Sequence, residues 1–197
     1  MQVIAEQDGL CIRQMEATPA DFKQILCWMT DPETMRFWEG MTELYDLARV
    51  EAEYRAHADE HTTPCIVELD GRAIGYMQFA PIDTASDYEM PQAQWQRIVR
   101  PEETVYGIDL YIGEVSFRDR GIGTRMLRLL TSALFAAYRA DVLLIDPKAH
   151  NARAIACYRK CGFRDVCVVP AREKQDGIWH DSRIMALRAG DSGQSLG

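Results

Sequence analysis

The 197-residue chain has no apolar run that approaches the ~20 consecutive residues needed to cross a bilayer as a helix. Residues 1–10 also lack the basic segment and following apolar stretch of a secretory signal peptide. We therefore expect a cytoplasmic protein. With 47% hydrophobic and 26% charged residues, the composition favours one globular domain, which we assign to residues 1–188, followed by a disordered tail at residues 189–197.

Basic residues are in deficit, because 22 Lys and Arg stand against 30 Asp and Glu and leave a formal charge of −8. A negative field repels nucleic acids and anionic membranes, so we expect neither as a partner, and it attracts cations. The carboxylates concentrate in residues 31–61, with nine against three arginines, and in residues 81–109, with six against two. These runs predict either a surface for a small cationic ligand or a solvated acidic face. The sequence is compatible with a monomer or a dimer.

Cysteine occurs without the spacing of a metal site or the setting of a disulfide framework. Cys157 and Cys161 are four residues apart and could share a helix face, but the sequence offers them no His or Cys partner for zinc. We therefore predict no metal and expect reduced, mostly buried thiols at all six positions: Cys11, Cys27, Cys65, Cys157, Cys161 and Cys167.

Apolar periodicity and turn residues predict a mixed α/β sheet of about seven strands with helices on both faces. Asp70-Gly71 is the residue pair that most readily forms the tight turn of a hairpin. Residues 80–103 should form a loop with one helical turn around residues 92–99. The predicted strands are 10–15, 64–69, 73–79, 104–112, 142–145, 163–169 and 178–187, and the predicted helices are 18–29, 44–57, 121–138 and 151–160.

A glycine-bearing segment lies between a predicted strand and a strong helix, with the sequence Arg118-Asp119-Arg120-Gly121-Ile122-Gly123-Thr124. Glycines let a backbone approach a ligand closely, and N–H groups at a helix start can cradle a pyrophosphate. Taken alone, such glycines can equally cap or turn the chain. No Gly-Lys-Ser/Thr follows, and the dinucleotide pattern Gly-x-Gly-x-x-Gly is not met. The arrangement Arg-x-x-Gly-x-Gly resembles the acetyl-coenzyme A pyrophosphate loop of the GCN5-related N-acetyltransferase (GNAT) superfamily.

A second segment, from Asn151 through Tyr158 to Gly162-Phe163, resembles the Asn-x-x-Ala-x-x-x-Tyr-x-x-x-Gly-Phe helix of the same superfamily. The resemblance implies the GNAT fold, a mostly antiparallel sheet flanked by helices, with acetyl-coenzyme A as cosubstrate. It also implies that Asn151 binds the pantetheine arm and that Tyr158 protonates the departing thiolate. The residues expected to contact the cofactor are Ile112, Gly113, Arg118, Asp119, Arg120, Gly121, Ile122, Gly123, Thr124, Asn151 and Ala154.

The sequences Gly107-Ile108-Asp109 and Ile145-Asp146-Pro147 resemble the bacterial aminoglycoside 6′-N-acetyltransferases. In that group the matching aspartates meet ammonium groups of the aminoglycoside, and the resemblance implies that Asp109 is the general base. The similarity extends over residues 12–187. Residues 111–114, Tyr-Ile-Gly-Glu, are closer to the ribosomal-protein and siderophore-type acetyltransferases.

Carboxylates and aromatic rings provide further candidates for holding a cationic acceptor. Other acceptors remain open, namely a protein N-terminus, a lysine or a hydroxylysine-type metabolite. A module that binds acyl-coenzyme A or a drug without catalysis is the alternative from another class. The candidate acceptor residues are Asp109, Asp146, Trp38, Glu39, Asp87, Glu89, Trp95, Glu102 and Glu103.

Overall fold

The computed structural model describes residues 2–56 and 61–190, and this part of the chain contains eight strands in one sheet. The strand order is β1-β2-β3-β4-β5-β6-β8-β7. Strands β5 and β6 pair in parallel, whereas β1-β2, β2-β3, β3-β4, β6-β8 and β7-β8 are antiparallel. The strands are β1 Val3–Gln7, β2 Leu10–Gln14, β3 Thr63–Leu69, β4 Arg72–Pro81, β5 Val105–Ile112, β6 Val142–Ile145, β7 Arg164–Gln175 and β8 Ile178–Arg188. The mostly antiparallel α/β sheet that the resemblance implies is thereby confirmed, with eight strands among the described residues rather than about seven.

The helices are α1 Pro19–Met29, α2 Pro32–Met35, α3 Leu47–Ala56, α4 Gln92–Ile98, α5 Ile122–Ala136 and α6 Ala152–Lys160. The helical turn predicted within the 80–103 loop is α4. Helix α3 begins at Leu47 rather than at residue 44 as predicted. Leu44 is 83% exposed and does not take part in the buried face of the helix. Residues 57 and 191–197, which belong to a predicted helix and to the predicted disordered tail, lie outside the described residues. Among the described helices, none combines the length and apolarity required to cross a membrane.

The chain divides into two compact units. Unit 1 comprises the chain up to Phe79 together with Asp109–Leu130, and unit 2 comprises Ala80–Ile108 and the chain from Thr131 onwards. The assignment of residues 1–188 to a single domain stays a prediction.

The core of unit 1 forms where α1 and α3 bury their apolar residues with those of β3 and β4. Helix α1 starts as predicted, because the Thr18 hydroxyl accepts the Asp21 N–H at 3.3 Å and Pro19 occupies the first turn. The predicted hairpin between β3 and β4 is also confirmed, since Asp70 and Gly71 adopt φ values of 50° and 77°. The fully buried large side chains include Trp28, Tyr76, Phe22, Ile25 and Ile66.

The core of unit 2 is built on β5, β6 and β8, whose inward residues Val105, Val142, Leu144 and Ile184 pack with Trp95 of α4. The β7-β8 pairing is irregular between Val169 and Glu173, where three residues of β7 stand against one residue of β8. Ala171, in this bulge, has a φ of 47°, and its N–H donates to the Asp181 carboxylate at 2.9 Å. A bulge of this kind redirects the neighbouring side chains, of which Arg172 is one.

Candidate active site

The glycine loop connects β5 to α5 through a 3₁₀ turn at Val115–Phe117. Asp119 and Gly121 both have left-handed backbone conformations, with φ values of 58° and 75°. A Cβ atom at Gly121 would meet nothing within 4 Å, so the dihedral angle rather than crowding favours glycine there. Helix α5 begins at the next residue, and its first N–H groups lack intrahelical acceptors at the positive end of a 15-residue helix. This arrangement suits a phosphate or pyrophosphate.

Arg118 was predicted to bind the cofactor. Its guanidinium forms hydrogen bonds with side chains and main-chain carbonyls of unit 1. It donates to the Asp31 carboxylate at 2.9 Å, to the Thr34 hydroxyl at 2.6 Å and to Glu33 at 3.0 Å. It also donates to the main-chain carbonyls of residues 112 and 113, and the side chain is only 7% exposed. These contacts fix the chain between the end of β5 and the glycine loop to α2.

Asp31 also accepts the N–H of Thr34, and it thereby caps α2 at a distance of 2.9 Å. Burial by itself would raise the pKa of the Asp31 carboxyl. The hydrogen bonds from Arg118 and Thr34 outweigh that effect, so the pKa lies below its ordinary value of 3.8.

Asp109, the candidate general base, lies on β5 and accepts a hydrogen bond from the Gln78 amide at 2.9 Å. The Gln78 carbonyl oxygen in turn accepts the hydroxyl proton of Tyr76 at 2.7 Å, and Tyr76 is fully buried. Burial raises the pKa of Tyr76 well above its ordinary value of 10, so this hydroxyl stays protonated and keeps donating. Sequence reasoning missed Gln78, whose only signal is that it lies two residues from Tyr76 on a strand.

Gly113 follows directly after β5 and lies against the Trp28 ring. A Cβ atom at residue 113 would lie 2.2 Å from ring atoms of Trp28, so only glycine allows this packing. The Trp28 indole N–H donates to Glu114 at 3.3 Å, and the Glu114 N–H donates to the carbonyl of Ile74 at 3.0 Å. The Glu114 N–H at the end of β5 is therefore engaged within the fold.

Trp38 and Glu39, predicted to contact the acceptor, differ in exposure. Trp38 is half-buried and meets Tyr111 and Tyr76 edge to face at centroid distances of 4.8 Å and 6.0 Å. Tyr76 and Tyr111 stack at 5.4 Å. Glu39 is exposed. The Trp38 ring is therefore one wall of an aromatic cluster within unit 1.

Helix α6 of unit 2 carries Asn151 and Tyr158. Asn151 is the N-cap, and its side-chain oxygen accepts the N–H of Ala154 at 3.1 Å. Tyr158 is 8% exposed, and its ring centroid lies 6.3 Å from that of Phe163. The capping role explains why this sequence begins a helix at Ala152, and it orients the Asn151 side chain at the helix start.

Asp146 follows β6 and belongs to a compact polar group. The Tyr88 hydroxyl donates to one Asp146 oxygen at 3.0 Å, and Arg172 pairs with the other oxygen. The Arg172 guanidinium also contacts Glu89 at 3.1 Å and lies 5.0 Å above the Tyr88 ring. Two predicted acceptor residues are thus brought together by Arg172, which sequence reasoning missed because β7 was expected to end at residue 169.

The other acceptor candidates of unit 2 do not join that group through the contacts described. Asp87 is exposed and accepts the N–H of Thr84 at 2.8 Å. Trp95 is 8% exposed and packs in the hydrophobic core, and Glu102 is exposed. Glu103 pairs with Arg188, whose hydrogen bond lowers the pKa of the Glu103 carboxyl. Contact of these residues with an acceptor stays a prediction.

All six cysteines are free, as expected, but the prediction that most are buried is wrong. Cys65 and Cys161 are buried, Cys27 is exposed and the other three are intermediate. Burial raises the pKa of the Cys65 thiol to about 12. Within residues 2–56 and 61–190, no group of three or more His, Cys, Asp or Glu side chains could hold a metal ion.

A strand that leads through a left-handed glycine loop into the start of a long helix is an α/β arrangement that can bind the phosphates of an anionic cofactor. The profile of the acetyltransferase (GNAT) domain matches residues 17–170. The chain belongs to this acetyltransferase family.

Individual relatives agree with the family. An aminoglycoside N(6′)-acetyltransferase type 1 of Klebsiella pneumoniae is 30% identical over 164 residues, which are 82% of this chain and 77% of that protein. The solved structure of AAC(6′)-Ib in complex with ribostamycin and coenzyme A has a TM-score of 0.75 at 26% identity, and the match covers 96% of this chain and 99% of that one. The complex of AAC(6′)-Ib with coenzyme A and kanamycin has a TM-score of 0.71, also at 26% identity, with coverages of 92% and 96%.

Proposed function

We propose that this protein is an acetyl-coenzyme A-dependent aminoglycoside 6′-N-acetyltransferase that acts in the cytoplasm. The observation that carries the proposal is the course of β5, which bears Asp109 and leads through Gly113 into the glycine loop. Relatives that act on or bind aminoglycosides match most of the chain and support this acceptor. The free cysteines are in keeping with a reducing compartment.

The first chemical step is deprotonation of the acceptor. An amine with a pKa of about 8 to 10 is mostly protonated at neutral pH, so its nitrogen cannot attack a thioester until a base removes a proton. We assign this role to Asp109, whose carboxylate is oriented by the Gln78 amide at 2.9 Å. Gln78 is itself oriented by the buried Tyr76 hydroxyl, so the base is held by a chain of hydrogen bonds.

The second step is acyl transfer. Attack of the neutral amine on the thioester carbonyl forms the C–N bond and places negative charge on the carbonyl oxygen, which a fixed backbone N–H can stabilise. We assign that donor to Ile112 or Gly113. The C–S bond then breaks, and Tyr158 gives its phenolic proton to the coenzyme A thiolate. The nitrogen loses its second proton to give the neutral amide, and this proton restores the Tyr158 phenol through solvent. The glycine loop and Asn151 hold the carrier during both steps.

The test is to incubate the protein with acetyl-coenzyme A and kanamycin, to follow release of the free thiol and to locate the added acetyl group by fragmentation. Asp109→Asn should lower kcat by about 100-fold or more, because general base catalysis contributes about that much. The affinity for acetyl-coenzyme A should change by less than about twofold, since the substitution acts on proton transfer rather than on uniform binding. Glu51→Gln, which removes a carboxylate from an exposed pair with Arg55, is the matched control and should keep full turnover.

Three results would contradict parts of the proposal. Wild-type turnover by Asp109→Asn would reject Asp109 as the base. Acetylation of a lysine or an N-terminal peptide, with none of kanamycin, would reject the acceptor. Tight binding of acetyl-coenzyme A without product from any amine would favour a non-catalytic binding module.

A further inference from the structure

Arg172 contacts Asp146 and Glu89, two carboxylates that the sequence predicts to bind ammonium groups of an acceptor. Its guanidinium pairs with Asp146 and lies 3.1 Å from the Glu89 carboxylate. The Arg172 side chain is 10% exposed and that of Asp146 is 15% exposed, whereas that of Glu89 is 64% exposed. The contact is therefore a partly buried ion pair with one solvent-facing carboxylate.

The backbone of β7 places Arg172 there. The register of the β7-β8 pair shifts between Val169 and Glu173, and Ala171 takes a φ of 47° inside that shift. The Asp181 carboxylate holds this conformation by accepting the Ala171 N–H at 2.9 Å. A bulge fixed in this way directs the next side chain toward Asp146.

We propose that Arg172 is a specificity-determining residue that competes, from within the chain, with the ammonium groups of the acceptor for Asp146 and Glu89. This inference rests on the proposed function. Two carboxylates and one guanidinium leave a net charge of −1 on the group, where the two carboxylates alone would carry −2. An acceptor cation must therefore share or displace the guanidinium in order to reach Asp146.

The geometry favours competition over a purely structural role for Arg172. Tyr88 is buried and donates to the other Asp146 oxygen at 3.0 Å, so Asp146 keeps an orienting partner when Arg172 moves away. The guanidinium lies 5.0 Å above the Tyr88 ring, a position in which an ammonium ion is also stabilised by the face of the ring. Carboxylate and ring thus form a cation subsite that the chain fills with its own cation.

The consequence is selection by charge. A monoamine competes with the Arg172 guanidinium through a single ammonium group. A molecule with several ammonium groups is attracted by the rest of the acidic surface as well. The Arg172 guanidinium therefore weakens the binding of amines with few charges more than the binding of polycationic amines. It acts on binding before the chemical step, so it should appear in KM rather than in kcat.

The experiment compares Arg172→Gln with the wild type in steady-state kinetics with kanamycin. KM for kanamycin should fall roughly three- to tenfold, in line with the modest coupling energies of partly exposed ion pairs. We expect kcat and KM for acetyl-coenzyme A to change by less than about twofold. Raising the ionic strength should raise KM for kanamycin more steeply in Arg172→Gln than in the wild type, because more uncompensated negative charge is then screened.

Three matched variants separate charge from packing. Arg172→Lys keeps the charge and should have a KM close to that of the wild type. Arg55→Gln, which breaks an exposed pair with Glu51, changes the net charge equally and should leave KM unaltered. In an Asp146→Asn background the effect of Arg172→Gln on KM should shrink to less than about twofold, because the shared partner is gone.

A KM that rises or stays constant in Arg172→Gln would overturn the inference, provided that thermal unfolding shows a folded variant. Equal falls in KM for Arg172→Gln and Arg172→Lys would also overturn it, since charge would then not be the determinant. If Arg172→Gln does not fold, KM for kanamycin and its dependence on ionic strength are measured for Arg172→Lys instead. A KM of Arg172→Lys below the wild-type value then overturns the inference. Failure of the proposed function is distinct, because the wild-type protein itself would then give no acetylated kanamycin.

Discussion

Arg118 in unit 1 and Arg172 in unit 2 are both arginines with almost fully buried side chains, yet their partners differ in kind. Arg118 donates to two main-chain carbonyls and to the Thr34 hydroxyl as well as to acidic side chains of the α2 region. Arg172 contacts two carboxylates and an aromatic ring, and both carboxylates were independently nominated for the acceptor.

The difference shows how a buried arginine can be assigned a role. Main-chain acceptors and a helix-capping carboxylate are fixed parts of the fold, so an arginine that satisfies them holds the fold together. Carboxylates at candidate acceptor positions can exchange one cation for another, so we expect an arginine that pairs with them to affect ligand binding. Burial alone would have given both residues the same interpretation.

The largest effect on stability is expected from Arg118→Gln. This substitution removes the guanidinium that donates to the Asp31 carboxylate and to the carbonyls of residues 112 and 113, and breaking a largely buried charge pair costs about 2 to 3 kcal/mol of unfolding free energy. Chemical denaturation at neutral pH measures this loss. A loss of less than about 0.5 kcal/mol, the range of ordinary surface substitutions, would remove the distinction between the two arginines.

An intermediate effect is expected from Asp31→Asn, and it should depend on pH. Asparagine still caps α2, so the variant mainly removes the charge that pairs with Arg118. Its cost should be about 1 kcal/mol at pH 6, as for a partly exposed charge-assisted hydrogen bond. The folded-state pKa of Asp31 lies below 3.8, so this stabilisation is complete above that pH and is lost as the pH falls through the folded-state pKa.

Denaturant titrations of both proteins between pH 6 and pH 3.5 test this dependence. The difference in unfolding free energy between wild type and Asp31→Asn should narrow at the acid end. The same difference measured in the Arg118→Gln background should be small throughout. If the difference in unfolding free energy between wild type and Asp31→Asn widened on acidification, Arg118 would not be the source of the lowered Asp31 pKa.

The smallest effect on stability is expected from Arg172→Gln, at about 1 kcal/mol or less. Glu89 is 64% exposed and returns to water at little cost, and Asp146 keeps its hydrogen bond from Tyr88. The same denaturation assay used for Arg118→Gln gives the comparison directly. A loss as large as that of Arg118→Gln would make Arg172 a structural residue and would weaken its assignment as a competitor for cations.

Local signals were sufficient for much of the fold. The apolar run at residues 142–145 is β6, the Thr18-Pro19 pair starts α1, and Asp70-Gly71 makes the predicted turn. The edge strand β1 was not predicted, because its sequence VIAEQ is short, partly polar and without a buried residue. The prediction for β7 was too short, since the bulge around Ala171 interrupts the alternation that identifies a strand.

The candidate site was predictable only in part. Recognisable spacings identified the glycine loop, Asn151 and Tyr158, and the structure places them at the helix starts and faces that such spacings favour. The contacts that hold the site were not predictable, because they join residues far apart in the chain. Asp109 and Gln78 are separated by 31 positions, and Arg118 and Asp31 by 87.

The Trp28 ring packs directly against Gly113, so substitutions at these two positions depend on each other. A side chain at residue 113 has no room while the indole is present, and a smaller residue at position 28 leaves a hole unless residue 113 grows to fill it. Either change alone should therefore lower the free energy of unfolding, whereas the two together can be neutral. Any redesign of this end of β5 therefore has to vary residues 28 and 113 together.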